Sequence, residues 1–243
     1  MREALLMIAL VGTFGGLAMG DARSAETGEV IGPDAVWQPG MGFMQTVRQQ
    51  CGKGEPGQYG DCLLAHMPAA GAPPAAVAFS RRLRASGNGQ IGYARDFRDT
   101  GRVDIAYVYY PLRANENQGW LLVNGQPELI DVDDLGRLPQ DALKRDPTYA
   151  TLAKQYHRVT LFPGDRAGTK SPAMQALPDG GQRFVVRYRL QNGCHACQRL
   201  GSASFGFDFD PAGRFSGARF IGIETAKQVA APARILAPPL TIQ

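Results

Sequence analysis

Residues 183–223 contain the densest alternation of aromatic and polar side chains in the chain. Before the segment 193–197, the apolar positions of this alternation are Phe184, Val186, Tyr188 and Leu190. After that segment they are Ala203, Phe205, Phe207 and Phe209. A period of two puts successive side chains on opposite faces of a strand, so one face of each strand enters a core. Because residues 210–213 read Asp-Pro-Ala-Gly, a turn sequence, we predict three consecutive antiparallel strands here.

A period of two also governs residues 90–132. We predict a four-strand meander with strands near residues 91–97, 103–110, 120–123 and 129–132. The second of these runs is apolar on both faces apart from Asp104, which places it in the middle of its sheet. Asn124 and Gly125 are typical of a two-residue turn, so we expect a tight hairpin between the last two strands.

Apolar residues at helical spacing are concentrated in the first third of the chain. We expect short helices over residues 41–51, from an N-cap at Asp61 to Met67, and from Pro74 onward, with a loop over residues 52–60. A helical insertion is expected near residues 138–157, followed by a strand over residues 159–162. The Gly- and Pro-rich segment 163–182 is expected to be either a surface loop with a role or partly disordered. The predicted fold is α+β: a helical N-terminal third followed by a curved antiparallel sheet of about seven or eight strands with one helical insertion.

The N-terminus has the pattern of a signal peptide. Arg2 precedes an apolar stretch over residues 4–18, and small residues follow at the position of cleavage. We predict a signal peptide over residues 1–20, with Ala25 as a later alternative cleavage point. The apolar stretch is shorter than the roughly 20 residues that a membrane-spanning helix needs, so we expect no stable membrane insertion after cleavage. The mature chain is then expected to be periplasmic or extracellular.

The remaining sequence divides by composition. Residues 21–40 are polar and rich in Gly and Pro, and we expect a flexible lead-in. Residues 41–223 are expected to form a single α+β domain, and residues 224–243 an Ala- and Pro-rich tail. The formal net charge is +4, and the basic residues are scattered along the chain. A scattered excess of this size does not indicate nucleic-acid binding.

The four cysteines predict disulfides in an exported chain. We favour the pairs Cys51 with Cys62 and Cys194 with Cys197, because the members of each pair are close in the sequence and glycines lie next to them. Four cysteines allow three pairings, and cross-links between the two regions stay open at this point because they would restrict the unfolded chain more strongly.

The motif Cys194-His195-Ala196-Cys197 has the spacing of thiol–disulfide oxidoreductases. In those proteins a helix follows the motif and stabilises a thiolate, whereas here a strand is expected to follow. We therefore favour a structural disulfide and keep a redox pair, with His195 beside it, as the alternative. We expect no metal site and no cofactor, because zinc would need a fourth ligand and the free histidines, His66 and His157, lie far away in the sequence.

Three arginines share one face of the predicted strand over residues 183–190. Arg183, Arg187 and Arg189 lie two or four residues apart, and their guanidinium groups suit carboxylates or phosphates. The competing interpretation is cross-strand pairing with Asp208. Tyr107 and Tyr109 share a face of the central strand and either line a pocket or pack in the core.

These patterns favour a non-enzymatic function. We identify no catalytic residues: the chain has no Gly-x-Ser-x-Gly motif, and the acidic residues 131–134 lack the spacing of a calcium loop. We predict an exported, disulfide-stabilised binding or accessory module for a protein or an anionic envelope ligand. The alternative is a redox accessory protein that uses Cys194 and Cys197.

Overall fold

Two antiparallel sheets and a layer of N-terminal helices form the framework of the protein. A computed structural model describes residues 30–52, 56–86, 90–113, 117–164 and 171–226. The helices are α1 Phe43–Cys51, α2 Pro56–His66, α3 Pro74–Ala85, α4 Gln140–Arg145 and α5 Pro147–Gln155. The strands are β1 Tyr93–Arg98, β2 Asp104–Tyr109, β3 Gln118–Val123, β4 Leu129–Asp131, β5 Val159–Phe162, β6 Ala173–Ala176, β7 Gln182–Asn192, β8 Arg199–Phe209 and β9 Phe215–Thr225. The predicted signal peptide over residues 1–20 lies outside the described residues.

The α+β class and the helical N-terminal third are confirmed, but the expected single sheet of seven or eight strands is wrong. The described residues form nine strands in two sheets, with the orders β1-β2-β3-β4 and β5-β7-β8-β9. The strand that the sequence analysis missed is β6, which pairs with the first part of β7. All four residues of β6 are exposed, so β6 carries no alternation of buried and exposed positions that a sequence pattern could reveal.

The first sheet is buried on both faces. One face, with Ala106, Val108 and Leu121, packs against Phe79 and Leu83 of α3. The opposite face packs against the second sheet and the helical insertion in a single hydrophobic cluster. The order of the layers is therefore helices, first sheet, second sheet, and the predicted central position of β2 is confirmed because β2 lies between β1 and β3.

Two hydrogen-bonded contacts join the sheets at polar points within the core. The hydroxyl of Tyr188 on β7 donates to the carbonyl of Val132 at 2.5 Å. The Gln182 side chain accepts from the Val103 amide at 2.8 Å and donates to the Thr100 carbonyl at 2.8 Å. Since buried polar groups are costly unless they are paired, these contacts restrict the sheets to one relative position.

The second helix begins earlier than expected. We predicted a loop over residues 52–60 and an N-cap at Asp61, but α2 starts at Pro56 and Asp61 lies inside it. Gly57 and Gly60 weaken the local helical signal. Gly60 instead leaves room for Arg84, whose guanidinium would lie 3.3 Å from a β-carbon at that position. Arg84 reaches Asp61 through this space, with Nη2 at 2.9 Å from Oδ2.

The connection between β3 and β4 is longer than a two-residue turn. Val123 pairs with Leu129, so residues 124–128 form the loop, and the Asn124 amide donates to the Glu128 carbonyl. The loop also docks on the second sheet: the Gln126 amide donates to the Gly213 carbonyl, and the Phe215 amide donates to the Gln126 carbonyl. This long-range pairing selects the wider loop over the tight hairpin.

Residues 30–40 are the part of the expected lead-in that the structure describes, and several of them pack against the body of the protein. Ile31, Ala35 and Trp37 are buried, and the Trp37 amide donates to the Ala94 carbonyl at 2.9 Å. The packed part of the protein therefore includes residues that precede the expected start of the domain at residue 41. At the other end β9 continues to Thr225, past the expected boundary at 223, while residues 21–29 and 227–243 lie outside the described residues.

Replacing Tyr188 with Phe tests the hydrogen bond between the sheets. The substitution keeps the ring and leaves the Val132 carbonyl buried without its donor, so the free energy of unfolding is expected to fall by about 1–2 kcal/mol. Urea denaturation measures the change. Tyr149→Phe is the matched control, because the Tyr149 hydroxyl is only half-buried and reaches the Val159 carbonyl at 3.3 Å. An effect of Tyr188→Phe no larger than the control would contradict the assigned role.

Candidate functional site

The structure contains both of the disulfides expected from local pairing. Cys51 at the end of α1 is bonded to Cys62 of α2, and Cys194 is bonded to Cys197 in the connection between β7 and β8. The cross-links between the two regions, which the sequence left open, are therefore not present. The first disulfide joins two helices of the N-terminal layer, and the second closes the tip of a long hairpin.

The Cys194–Cys197 loop is a tight turn at the surface. Both cysteines are exposed, and the Cys197 amide donates to the Cys194 carbonyl at 3.1 Å. Gly193 has a φ of +91°, a conformation that favours glycine. The strand β8 begins at Arg199, so no helix N-terminus lies behind the cysteines to stabilise a thiolate.

His195 lies against the second sheet. Its Nε2 atom is 3.0 Å from Nη2 of Arg189, and its ring meets the ring of Phe162 edge to face at 5.4 Å. Arg189 itself is only 4% exposed and donates to the Pro163 carbonyl at 2.9 Å. Arg189 therefore binds the backbone at Pro163, directly after β5, and supports the disulfide turn, and it offers little surface to a ligand.

The other two arginines of the predicted set form ion pairs across the strands. Arg183 binds Asp208 through two hydrogen bonds of 2.6 and 2.8 Å, which confirms the cross-strand pairing as the structural arrangement. Hydrogen bonding to Asp208 raises the pKa of Arg183. Arg187 binds Glu224 at 2.6 Å, and both side chains are partly accessible, 38% and 56% exposed. Within the described residues, the buried Nε of Arg187 has no hydrogen-bond partner.

Two further arginines, which the sequence analysis did not single out, lie on the same surface. Arg219 on β9 pairs with Asp208 at 2.9 Å and is 61% exposed. Arg199 on β8 donates to Ser202, which lies opposite Arg189 in the strand register. We call this surface the arginine face, defined by Arg183, Arg187, Arg189, Arg199 and Arg219 together with Asp208 and Glu224. Among these described residues guanidinium groups exceed carboxylates, so the face is positively charged.

Small residues let the arginine side chains lie flat on the sheet. Ser204 and Gly206 on β8 lie opposite Arg187 and Val185 of β7. A β-carbon at position 206 would meet Cδ of Arg183 at 2.8 Å, so the Arg183 side chain crosses directly over this glycine. The sequence signal for this arrangement was the pattern Ser-x-Ser-x-Gly over residues 202–206, opposite the alternating arginines.

Tyr107 and Tyr109 both make aromatic packing contacts. The Tyr107 ring lies 4.5 Å from the Trp120 ring, and its hydroxyl donates to Gln118. The Tyr109 ring lies 5.5 Å from that of Tyr93. Both tyrosines are half-buried, and the structure does not bring them to the arginine face.

A partly buried charged cluster, which includes Asp131 and Asp133, lies beside the first sheet. Arg113 donates to Asp131 at 2.6 Å, to Asp133 at 3.3 Å and to Gln90 at 2.6 Å. Its guanidinium lies 3.5 Å above the centre of the Tyr110 ring. Burial opposes the charge of Arg113, but Asp131 and the other neighbours more than offset this and raise the pKa of Arg113. Burial also raises the pKa of Tyr110 well above its ordinary value.

A small polar cleft of about 60 Å³ borders this cluster. Tyr110, Gln90, Asp131, Asp134 and Arg137 are among its lining residues. Sites for drug-sized ligands are roughly 300–1,000 Å³, so this cleft suits water-sized groups only. We therefore assign a structural role to the cluster, which fastens the loop after β2 to the end of β4.

No protein-family model, no curated protein and no solved structure matches this chain. None of the helices in the described residues combines the length and the apolar character needed to cross a bilayer. The protein is therefore classified from its own fold and surface. It is a disulfide-stabilised α+β protein with two stacked antiparallel sheets and a basic outer sheet face.

Replacing Tyr110 with Phe tests the structural account of the cluster. The Tyr110 hydroxyl is buried and has no hydrogen-bond partner within the described residues. Because an unsatisfied buried hydroxyl is costly, its removal is expected to raise the free energy of unfolding by about 1 kcal/mol. Urea denaturation of this variant and of Tyr188→Phe gives a matched pair. The same chemical change is expected to raise the free energy of unfolding in one variant and to lower it in the other. A loss of stability in Tyr110→Phe would show that the hydroxyl is hydrogen-bonded in solution.

Proposed function

We propose that this chain is an exported, non-enzymatic module that binds an anionic ligand of the cell envelope on its arginine face. Two disulfides support an oxidising compartment, as does the signal-peptide pattern in the sequence. The observation that carries the binding role is the excess of guanidinium groups spread over three adjacent strands, β7, β8 and β9.

The accessible arginines are available to an incoming anion. Arg187 and Arg219 are paired with carboxylates at the surface. Exposed ion pairs contribute only about 0–1 kcal/mol, so a ligand carboxylate or phosphate can replace or bridge these pairs at small cost. The less exposed Arg183 and Arg189 hold the surface in place through Asp208 and the Pro163 carbonyl.

The form of the arginine face favours an extended ligand. Its cations are distributed along the strands and across them, at the spacing of sheet positions. Guanidinium groups bind carboxylates and phosphates through paired hydrogen bonds. A polymer or surface that repeats such groups can contact several arginines at once, and each contact adds to affinity.

Replacing both Arg187 and Arg219 with Ala tests this proposal. Each arginine near an anionic surface contributes about 1 kcal/mol, so the double variant is expected to bind phosphatidylglycerol vesicles or immobilised poly-glutamate roughly 30-fold more weakly. Cosedimentation and column retention at several salt concentrations measure the effect. Arg189 is unsuitable for this test because its removal would leave the Pro163 carbonyl without its donor.

The matched control replaces Arg98 and Arg137 with Ala. These arginines are 52% and 38% exposed and lie outside the arginine face, and their replacement removes the same total charge. The proposal expects the control to retain most of the binding. If both double variants lost the same amount of binding, net charge alone would explain the effect. A wild-type chain that bound neither probe would contradict the proposal.

A thiol–disulfide accessory role is the second candidate, supported by the exposure of both Cys194 and Cys197. An exposed disulfide can be attacked by a partner thiolate, and His195 lies between the two cysteines in sequence. The strand that follows the motif weighs against this role, because it offers no helix dipole to a thiolate.

Equilibration with glutathione buffers separates the two candidates. As a structural element, the Cys194–Cys197 disulfide is expected to stay oxidised at about −250 mV and to give no insulin reduction. Alkylation followed by peptide mass spectrometry reads out each pair. A potential between about −120 and −270 mV, with insulin reduction that Cys194→Ser abolishes, would instead establish the redox role.

A further inference from the structure

His66 lies beside the disulfide of the N-terminal helices. The described residues contain one group of three His, Cys, Asp or Glu side chains whose donor atoms could hold a metal ion: Cys51, Cys62 and His66, all within 4.8 Å of one another. In the sequence, His66 is a candidate ligand only for the distant Cys194 motif. In the structure it is adjacent to the other pair of cysteines.

The backbone holds the three donors in a chelating arrangement. Cys62 and His66 lie four residues apart on α2, which places both side chains on one helix face. Cys51 comes from the last position of α1, which packs against α2. Cys51 is buried in the helical core, whereas Cys62 and His66 are half-buried, so the group is reachable from solvent on one side.

We propose that Cys51, Cys62 and His66 form a redox-gated zinc site. In the oxidised state the two cysteines form a disulfide, and in the reduced state they bind zinc together with His66. A dithiol reductant transfers two electrons and two protons to the Cys51–Cys62 bond, giving two thiols, and is itself oxidised to a disulfide. Zinc binding then displaces one proton from each thiol and places two thiolates and the neutral His66 imidazole on the ion.

The geometry suits tetrahedral zinc. Zinc–sulfur bonds of about 2.3 Å and zinc–nitrogen bonds of about 2.0–2.1 Å place tetrahedral donors about 3.5–3.8 Å apart. The three donor atoms lie within 4.8 Å of one another, and cleavage of the sulfur–sulfur bond frees the two sulfurs to move apart by side-chain rotation toward these distances. Three protein ligands leave the fourth position to water, the arrangement of an open zinc site. The mixed sulfur and nitrogen donors favour zinc over calcium or magnesium.

The test uses the full mature chain with Cys194→Ser and Cys197→Ser, which removes the competing thiols. After phosphine reduction and removal of the reductant under anaerobic conditions, Zn²⁺ is titrated in competition with a chromophoric chelator. One equivalent is expected to bind to the reduced protein and none to the oxidised protein. Co²⁺ is expected to give the visible bands of a tetrahedral site and thiolate-to-cobalt charge transfer.

Variants assign the ligands. His66→Ala is expected to weaken zinc binding by at least roughly tenfold, since even outer partners of metal ligands contribute 10–100-fold. His157→Ala is the matched control, because His157 is exposed and distant from the cysteine pair in sequence, and it is expected to leave affinity unchanged. Far-UV circular dichroism verifies that each reduced variant retains its helices.

Protection from alkylation supplies an independent readout. Zinc is expected to slow the reaction of Cys51 and Cys62 with iodoacetamide, and this protection is expected to disappear in His66→Ala. Absence of stoichiometric zinc binding by the reduced protein would overturn the proposal. Unchanged affinity and protection in His66→Ala would overturn it equally, even if the two thiolates alone bound the metal.

Discussion

The packing of β7 and β8 against the first sheet is the constraint on which the other features depend. Phe184, Phe205 and Phe207 are completely buried between the sheets, and burial of each such side chain stabilises the fold by about 1.5–3 kcal/mol. Alternate residues of a strand must point the opposite way. Burial of the aromatic positions therefore forces Arg183 and Arg187 onto the outer surface, where they form the arginine face.

Polar contacts make this packing specific. An aromatic interface alone tolerates sliding, whereas the bonds from Tyr188 to Val132 and from Gln182 to Val103 are satisfied in one register only. The charged cluster around Arg113 has the same role on the helical side, because it joins the loop after β2 to β4. The molecule therefore uses buried polar groups to fix positions and apolar groups to supply most of the stability.

The two disulfides belong to different parts of this arrangement. Cys51–Cys62 lies in the helical layer, where it joins α1 to α2 within the hydrophobic cluster of these helices. Cys194–Cys197 closes a hairpin tip whose strands are already held by a long ladder of hydrogen bonds. The two disulfides therefore have different chemical environments. One joins two helices beside a histidine, and the other is exposed at the end of a sheet.

By itself, the sequence determined the strands with strong alternation and the inward and outward faces of β7 and β8. It favoured the local disulfide pairing, and it offered the pairing of Arg183 with Asp208 as one of two interpretations. These follow from neighbours along the chain or from adjacent strands. Only the tertiary structure decided that there are two sheets, that residues 30–37 enter the core, that β6 exists and that α2 begins at Pro56. The two sheets, the burial of residues 30–37 and the start of α2 depend on contacts between segments that are far apart in the sequence, and the free energy of these contacts overrides weak local preferences at glycines. The strand β6 pairs with the nearby β7, but its four exposed residues carry no alternation that marks a strand.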